Sequence, residues 1–563
     1  MIATISDPGV GACTPKMVET YEMTIPPRPV VEAENRLEQF NGDRARIVSD
    51  VERRIVDDYV RAAAAGGDAS LEYVINEVAF SEMRRYEKTK GRASQKKFQR
   101  WRELANRLNR MSEQEKRERL SKLVHEYALD IVGNFNPRVY RFATDLLPPA
   151  LSFLFSPIHG LREGLAALSE FAGQVEVEGP LDTIRAVCEQ GTMVVTPTHS
   201  SNMDSIAIGF GLNRSHLPPC TYGAGKNLFS NPLISYFMHN LGAYRVDRRL
   251  RFPLYKNVLK EYSTVLLEGG YHSLFFPGGT RCRSNHVEQK LKLGLLGTTV
   301  KAYENNVRAG QPYRRLYVLP VTINYRLVLE AETLIDDYLA DKGKSRYIIE
   351  DDEFSRVGRI LEFARKMFRH EGAVVLRFGT PLDPFGNEVR ADGQSYDRRG
   401  RLVDPAGYVR DGEGNVVADD QRNAQYTRRL GTVVAAAFRS NTVFLTTSIV
   451  ARAAYDAIAA KAGSRDIYQL LRVSPAKLRV LTSEVALRVD RLRQQLAEQP
   501  SAGVLHHRAV GMTAEEIIDD ALRALGIYHT RPVVSRVGDE LEVGSMKLLY
   551  YYQNRTAHLA DQA

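Results

Sequence analysis

Beyond Gly160, short β-rich runs alternate with amphipathic segments, and this alternation constrains the fold more than any other feature of the chain. Met193-Val194-Val195 and residues 273–276, 316–324 and 373–378 have the length and apolar content of buried strands. A regular alternation of this kind indicates an α/β core, a sheet covered by helices. Residues 31–130 differ: Gly and Pro are few and apolar residues recur at threes and fours, as at Trp101, Leu104 and Leu108, so long helices are expected. Ser112 followed by Glu115 predicts a capping box opening a helix through Leu120, Leu123 and Tyr127. Residues 384–420 are rich in Gly, Asp and Arg. Their GNEV, GRLV, GYVR and GNVV stretches fall at irregular intervals, which predicts turns and short hairpins and not a repeat. Helices return afterwards, with Thr513 and Glu516 forming a second capping box, Gly526 a stop, and residues 545–559 an amphipathic helix whose Tyr550, Tyr551 and Tyr552 pack inward. The expected division is a helical N-terminal domain over 1–130, an α/β core over 131–384, a Gly/Asp-rich insertion over 385–425 and a mainly helical region over 426–563.

Composition narrows the function classes. With 563 residues, 44% hydrophobic and 26% charged, the chain falls among ordinary globular proteins. It has no run of about 18 apolar residues, so no spanning helix is expected. The start, MIATISDPGV, has Asp7 and Pro8 where an export signal needs a cationic start and an apolar run, so a cytoplasmic location is expected. Cys13, Cys188, Cys220 and Cys282 show no CxxC spacing, which argues against a disulfide framework and a thiolate zinc site. Residues 142–158 are apolar but interrupted by Asp145, Pro148 and Pro149; the part from 146 to 158 either lies in a bilayer interface or covers the core.

The net charge is +9, and residues 245–301 alone hold 11 Lys/Arg against 4 Asp/Glu. A surface of this sign attracts nucleic acid, anionic lipid or phosphorylated small molecules. Without an RNA-recognition signature or a paired Cys/His finger, nucleic acid is set aside. The basic run from 88 to 110 reads as a solvated helix face, with a membrane or acidic partner as the alternative.

The stretch with most chemistry is Met193-Val-Val-Thr-Pro-Thr-His199-Ser-Ser-Asn-Met-Asp204. Residues five apart on one helix point about 140° apart, so His199 and Asp204 meet only if the helix begins between them, capped by Ser200, Ser201 or Asn202. Asp204 then holds one ring nitrogen while the other removes a proton from a hydroxyl. An isolated pair at this spacing is common by chance, and its bland reading is a loop histidine with a first-turn dipole partner. Two basic loops add weight: Gly242-Ala-Tyr-Arg-Val-Asp-Arg248-Arg249 and Phe275-Phe-Pro-Gly-Gly-Thr-Arg281-Cys-Arg283-Ser each read as a strand ending in arginines. Open α/β sheets bind ligands beyond the carboxyl ends of their strands, and arginine forks suit phosphate. Other motifs fall away. Gly223-Ala-Gly-Lys226 lacks the Gly and Ser/Thr of a P-loop, His506-His507 reads as a loop without further ligands, and the sequons at Asn213 and Asn554 read as chance matches.

The order HSSNMD, LGAYRVDRR, FFPGGTRCRS, VLPVTINY resembles the four blocks of the glycerolipid acyltransferases. Segments around YALDIVGNFNPRVY, DPFGNEV and LLYYYQNRTAHL are similar to the glycerol-3-phosphate acyltransferase branch, extending the resemblance from about residue 120 onward. The resemblance implies a mixed-sheet α/β acyltransferase core flanked by helices, with His199 as general base and Asp204 as its orienting partner. Arg248, Arg281 and Arg283 would hold the acceptor phosphate, with Lys226 and Arg245 as further basic candidates; the alternative for Arg245 is an ion pair with Asp247 or another nearby acid. Gly242, Gly279 and Thr280 support the blocks, and Pro320 shapes the acyl-donor side. Position 278 is Gly where the third block usually has Glu, which bears on acceptor identity and on activity.

The reaction so implied moves a fatty acyl group from acyl-CoA or acyl-carrier protein to the sn-1 hydroxyl of glycerol 3-phosphate, giving lysophosphatidate for phospholipid synthesis. It needs no cofactor, metal or acyl-enzyme. Backbone N–H groups near Asn202 are the candidate oxyanion donors. The partners are the two substrates and an anionic membrane surface, with the protein peripheral on its cytoplasmic face. Dihydroxyacetone phosphate or lysophosphatidate as acceptor, and a non-catalytic acyl-thioester or lipid-binding protein on the same scaffold, are the alternatives.

Overall fold

The computed structural model describes residues 36–559 apart from 66–69, 89–90, 146–174, 227–228, 230–231, 312–313, 343–373, 475–476 and 527–528. Cys13 and the apolar segment 146–158 lie outside the described residues.

Four helices lead into the core: Phe40–Ala64, Leu71–Glu87, Arg92–Arg107 and Glu113–Ile131. The capping box forms as the spacing predicts: Glu115 N–H donates to Ser112 Oγ, and Ser112 N–H donates to the Glu115 carboxylate at 2.7 Å. The helices share one apolar cluster, including Val51, Ile75, Leu120 and Leu123, with Tyr255 and Tyr262 of the helix Pro253–Glu268. Arg54 fastens them to that helix, 3.0 Å from Glu261 and 2.6 Å from Glu268.

The central sheet has seven strands: β1 (Val175–Glu178), β2 (Gly191–Pro197), β3 (Thr221–Gly225), β4 (Ala243–Val246), β5 (Ser273–Leu274), β6 (Arg315–Tyr325) and β7 (Val374–Phe378). Their order is β1-β7-β6-β2-β5-β3-β4. The five from β6 to β4 are parallel, β7 is antiparallel to β6, and β1 is parallel to β7. The sheet is therefore mixed. Every residue of β2 is buried, in keeping with a parallel strand covered on both faces. β1 and β3 carry no sequence signal of this kind: β1 is the alternation Val-Glu-Val-Glu at a sheet edge, and β3 is Gly-rich.

The C-terminal region packs on the sheet through the helix Thr446–Ala462, whose residues are nearly all buried. It shares a cluster with Leu319 and Ile323 of β6 and Leu376 of β7. Around it lie the helices Thr482–Glu498, Ala514–Leu525 and Met546–Gln553, together with a three-stranded sheet of Arg479–Leu481, Val534–Val537 and Glu540–Val543. Thr513 and Glu516 form the expected capping box, and Tyr551 and Tyr552 are buried.

The Gly/Asp-rich stretch forms the expected turns and short hairpins but corrects the reading of their spacing. Gly386, Gly393, Gly400, Gly407 and Gly414 stand seven apart, and each donates its N–H to the carbonyl three residues earlier. The turns are a regular array, with φ positive at four of the five glycines, and they carry the short strands Glu388–Val389, Ser395–Tyr396 and Leu402–Val403.

Candidate active site

β2 delivers His199 to the carboxyl edge of the parallel strands. Pro197 ends the strand, and Thr198 continues its bonding to β6 by donating to Val321 O and accepting from Ile323 N–H at 3.0 Å each. The chain then turns, and the helix Asp204–Arg214 begins five residues after the imidazole. His199 Nδ1 lies 2.7 Å from Asp204 Oδ2. The same oxygen accepts the N–H groups of Ser200 at 2.7 Å and Ser201 at 3.0 Å, and Oδ1 accepts the Tyr325 hydroxyl at 2.7 Å. Four donors thus satisfy a carboxylate with no exposed side-chain surface. With Nδ1 donating to Asp204, Nε2 is the ring nitrogen left to accept a proton. The ring stacks on Phe276 with centroids 4.3 Å apart.

Two local expectations are corrected. The N-cap is Met203, with helical backbone and no side-chain cap, because Asp204 itself reaches back to the Ser200 and Ser201 amides. Those amides, and that of Asn202, which donates to Glu330 Oε1 at 2.9 Å, are already engaged and are not the oxyanion donors.

The loop after β5 joins this turn directly: Cys282 N–H donates to His199 O at 2.7 Å. Gly279 has φ of +77° and a Cβ there would meet Lys292, so the loop requires glycine at that position; Thr280 beside it is exposed. At Gly278 a Cβ would lie 2.6–2.7 Å from the carboxyl atoms of Glu288. Glu288 Oε1 accepts the His199 N–H at 2.9 Å. Burial pushes the Glu288 carboxyl up to about 7, with Asp204 adding to the rise and the His199 amide and Arg555 opposing it.

The basic candidates separate into two groups. Arg248 and Arg281 approach each other. The Arg248 guanidinium is held below its ordinary value by partial desolvation and then by the Arg281 charge, and among the described residues no carboxylate pairs with it. Arg281 lies 3.4 Å from Glu330, a buried carboxylate that also accepts from Ser201 Oγ and so connects this arginine to the His199 turn. The other three are committed elsewhere or lie apart. Arg283 pairs with Asp341 at 2.6 Å, and Lys226 pairs with Asp130 at 2.6 Å. Arg245 sits over the Phe229 ring at 5.1 Å, and Asp247 pairs with Arg249 instead of with it. Gly242, φ +89°, turns the chain into β4 and donates to Asn134 O, so the Asn134 segment buttresses this strand. Pro320 lies inside β6 opposite Thr196, and its carbonyl accepts from Gly379 N–H.

The C-terminal residues form the floor. Arg555 is buried and donates to Ile323 O and to Asn324 Oδ1; Asn554 donates to Ser284 O; and Asn285 donates to Tyr551 O. Tyr325, Glu330, Glu288 and Arg555 were not singled out from the sequence. Tyr325 closes the fourth block and was open to notice; the other three have no local signature. His506 also has a partner that its sequence neighbourhood does not reveal: its Nε2 lies 2.9 Å from Glu176 Oε2, with Arg508 on the same carboxylate. Ligand atoms of Glu176, His506 and His507 come within 4.8 Å of one another. Among the described residues no helix is long and apolar enough to cross a membrane.

Residues 174–324 match the family model described as Acyltransferase. Among curated proteins the chain is similar to the glycerol-3-phosphate acyltransferase of Xanthomonas campestris pv. campestris, 26% identical over 46% of this chain and 26% of that one. It is likewise similar to those of Pseudomonas aeruginosa strain PAO1, 26% identical over 51% and 31%, and of Aeromonas hydrophila subsp. hydrophila, 28% identical over 47% and 29%. The chain thus spans between a quarter and a third of the length of these relatives. A solved structure, the 1-acyl-sn-glycerophosphate (LPA) acyltransferase of Thermotoga maritima, aligns at 15% identity with a TM-score of 0.25, covering 53% of this chain and 92% of that one. The matched segment holds the His199–Asp204 pair, Arg248 and Arg281 on one edge of a mixed sheet, and it is through this segment, residues 174–324, that the chain is similar to the acyltransferases.

Proposed function

We propose that the protein transfers a fatty acyl group from a coenzyme A or acyl-carrier-protein thioester to the sn-1 hydroxyl of glycerol 3-phosphate. The observation that carries this reading is the imidazole held by Asp204 at 2.7 Å beside the Arg248 and Arg281 pair. His199 Nε2 takes the hydroxyl proton as the oxygen attacks the thioester carbonyl, and Asp204 stabilises the imidazolium so formed. On collapse of the tetrahedral intermediate the carbon–sulfur bond breaks and the imidazolium returns its proton to the leaving thiolate. A thioester is already activated, so no acyl-enzyme is required. Two like-charged guanidiniums, one without a counter-ion among the described residues, favour an anionic group between them, and a phosphate suits their forked donors.

The protein works at an anionic membrane surface in this reading, peripheral on the cytoplasmic face. The helix Arg92–Arg107 supports it: six Arg/Lys residues face one Glu, and no residue of the helix is buried. The test of the reaction is thiol release from palmitoyl-CoA with and without glycerol 3-phosphate, for the wild type and His199→Ala. Acceptor-dependent release lost in the variant supports the assignment. Release with dihydroxyacetone phosphate or lysophosphatidate in place of glycerol 3-phosphate moves the assignment to that acceptor, and binding of acyl-CoA with no release on any acceptor replaces it with a binding protein.

A further inference from the structure

Glu288 has an enclosed carboxyl beside His199, and the reaction above supplies no role for it. It stands on the loop between β5 and the helix Leu293–Arg308, ten residues beyond Gly278, and its carboxyl occupies the space that any side chain at 278 would enter. One oxygen accepts the backbone N–H of His199 at 2.9 Å. The other is buried and, among the described residues, has no hydrogen-bond partner. The backbone of Gly278 does not need glycine for its own sake, since its φ is not among the positive values of the chain. The glycine is explained by the carboxyl that fills its place. A loop histidine has no helix or ladder bonding to fix its peptide, so a carboxylate accepting its N–H sets the direction in which the side chain leaves the backbone.

We propose that Glu288 is a positioning residue for His199, its carboxyl occupying the place of the missing side chain at 278 and clamping the His199 peptide so that the imidazole meets both Asp204 and the acceptor hydroxyl. The role explains how a third block written Phe-Pro-Gly-Gly-Thr keeps a carboxylate beside the base: the acid comes from residue 288 instead of 278. It rests on the acyl-transfer reading for its kinetic consequence and on geometry alone for the clamp.

The experiment compares the full-length wild type with Glu288→Ala, Glu288→Gln, Gly278→Ala and the double variant Gly278→Glu/Glu288→Ala, each checked for fold by circular dichroism. Steady-state thiol release from palmitoyl-CoA gives kcat and the KM for glycerol 3-phosphate, and hydrogen exchange reports on the peptide spanning residues 198–204. Glu288→Ala should lower kcat about 10- to 100-fold with acceptor KM changed less than about threefold, as expected for a displaced base. Gly278→Ala should resemble it, because the new methyl group pushes the carboxyl away. Glu288→Gln, which keeps an acceptor for the His199 N–H, should retain most of the rate, and the double variant should recover several-fold over Glu288→Ala. Exchange around residue 199 should quicken in the two alanine variants and stay slow in the glutamine variant. Glu288→Ala within twofold of the wild type, or exchange unchanged in it, overturns the proposal. A double variant no better than Glu288→Ala overturns the equivalence of the two positions. Silence of every form on every acceptor, with the exchange pattern as expected, counts against the acyl-transfer reading and leaves the clamp standing.

Discussion

Tyr325, the last residue of β6, places its hydroxyl 2.7 Å from Asp204 Oδ1, so the central strand next to β2 fixes the far side of the carboxylate that holds the His199 imidazole. Tyr325→Phe removes this donor and leaves one oxygen of a buried carboxylate unpaired. The expected cost is about 1–3 kcal/mol of stability, read as a lower melting temperature, with a kcat about tenfold lower as Asp204 gains freedom.

Asp204→Asn tests the tautomer argument. An amide at this position no longer demands a proton on Nδ1, and it stabilises imidazolium less. A loss in kcat of about 10³- to 10⁴-fold is expected, by comparison with the aspartate of a serine-protease triad, with the acceptor KM changed little. A loss under tenfold would show that Asp204 serves the loop and not the base.

The arginines should separate kinetically. Arg248→Ala should raise the KM for a phosphorylated acceptor at least about tenfold while leaving stability within about 0.5 kcal/mol, as for an exposed side chain. Arg281→Ala should raise the same KM and also destabilise the protein, because Glu330 loses its cation while still holding Ser201 and Asn202. Arg283→Ala, which breaks an exposed pair with Asp341, should change stability by no more than about 1 kcal/mol and KM less than twofold.

Glu288 also makes stability depend on pH. Its folded-state value is raised to about 7, mainly by burial, so between the ordinary glutamate range and 7 the folded state binds a proton that the unfolded chain has released. The contribution is present at low pH and is lost as pH rises through about 7. Glu288→Gln has no such proton to lose. Its melting temperature should therefore gain on the wild type between about pH 5 and pH 8, by about 1–3 °C; a constant difference across that range would exclude the titration.

Attachment to lipid is tested by flotation with anionic and neutral liposomes. Binding through the helix Arg92–Arg107 should be seen with anionic vesicles at low salt and fall as salt screens the charges. Reversing Arg92, Lys96 and Arg100 to Glu should abolish it without altering turnover in detergent.

What was legible from the chain is what short-range pattern encodes. β2 and β6 show as short β-rich apolar runs, Ser112 and Thr513 sit three residues before Glu, and His199 with Asp204 spans a strand-to-helix turn, so each could be read in a window of a dozen residues. The array of turns escaped because its second member, Gly393-Gln-Ser-Tyr, lacks the valine that marks the others, which hid the seven-residue spacing. Glu288, Glu330 and Arg555 escaped for a different reason. Each bonds to a residue between 89 and 232 positions away, and a charged residue in a loop gives no sign of the buried partner it will meet. The helix start was misread because a Ser-Ser-Asn run suits N-caps in general, whereas here Asp204 takes the amides that such a cap would serve.

The floor that Asn554 and Arg555 build beneath the loops of Ser284 and Asn324 sets an order on the birth of the enzyme. During synthesis the His199 turn leaves the ribosome some 350 residues before the side chains that support it, far longer than the length the exit tunnel conceals. A nascent chain therefore carries the His199 turn without its floor until residues 554 and 555 have emerged. A ribosome stalled before residue 545 would release a protein with His199, Asp204 and the arginines present and the residues beneath them missing.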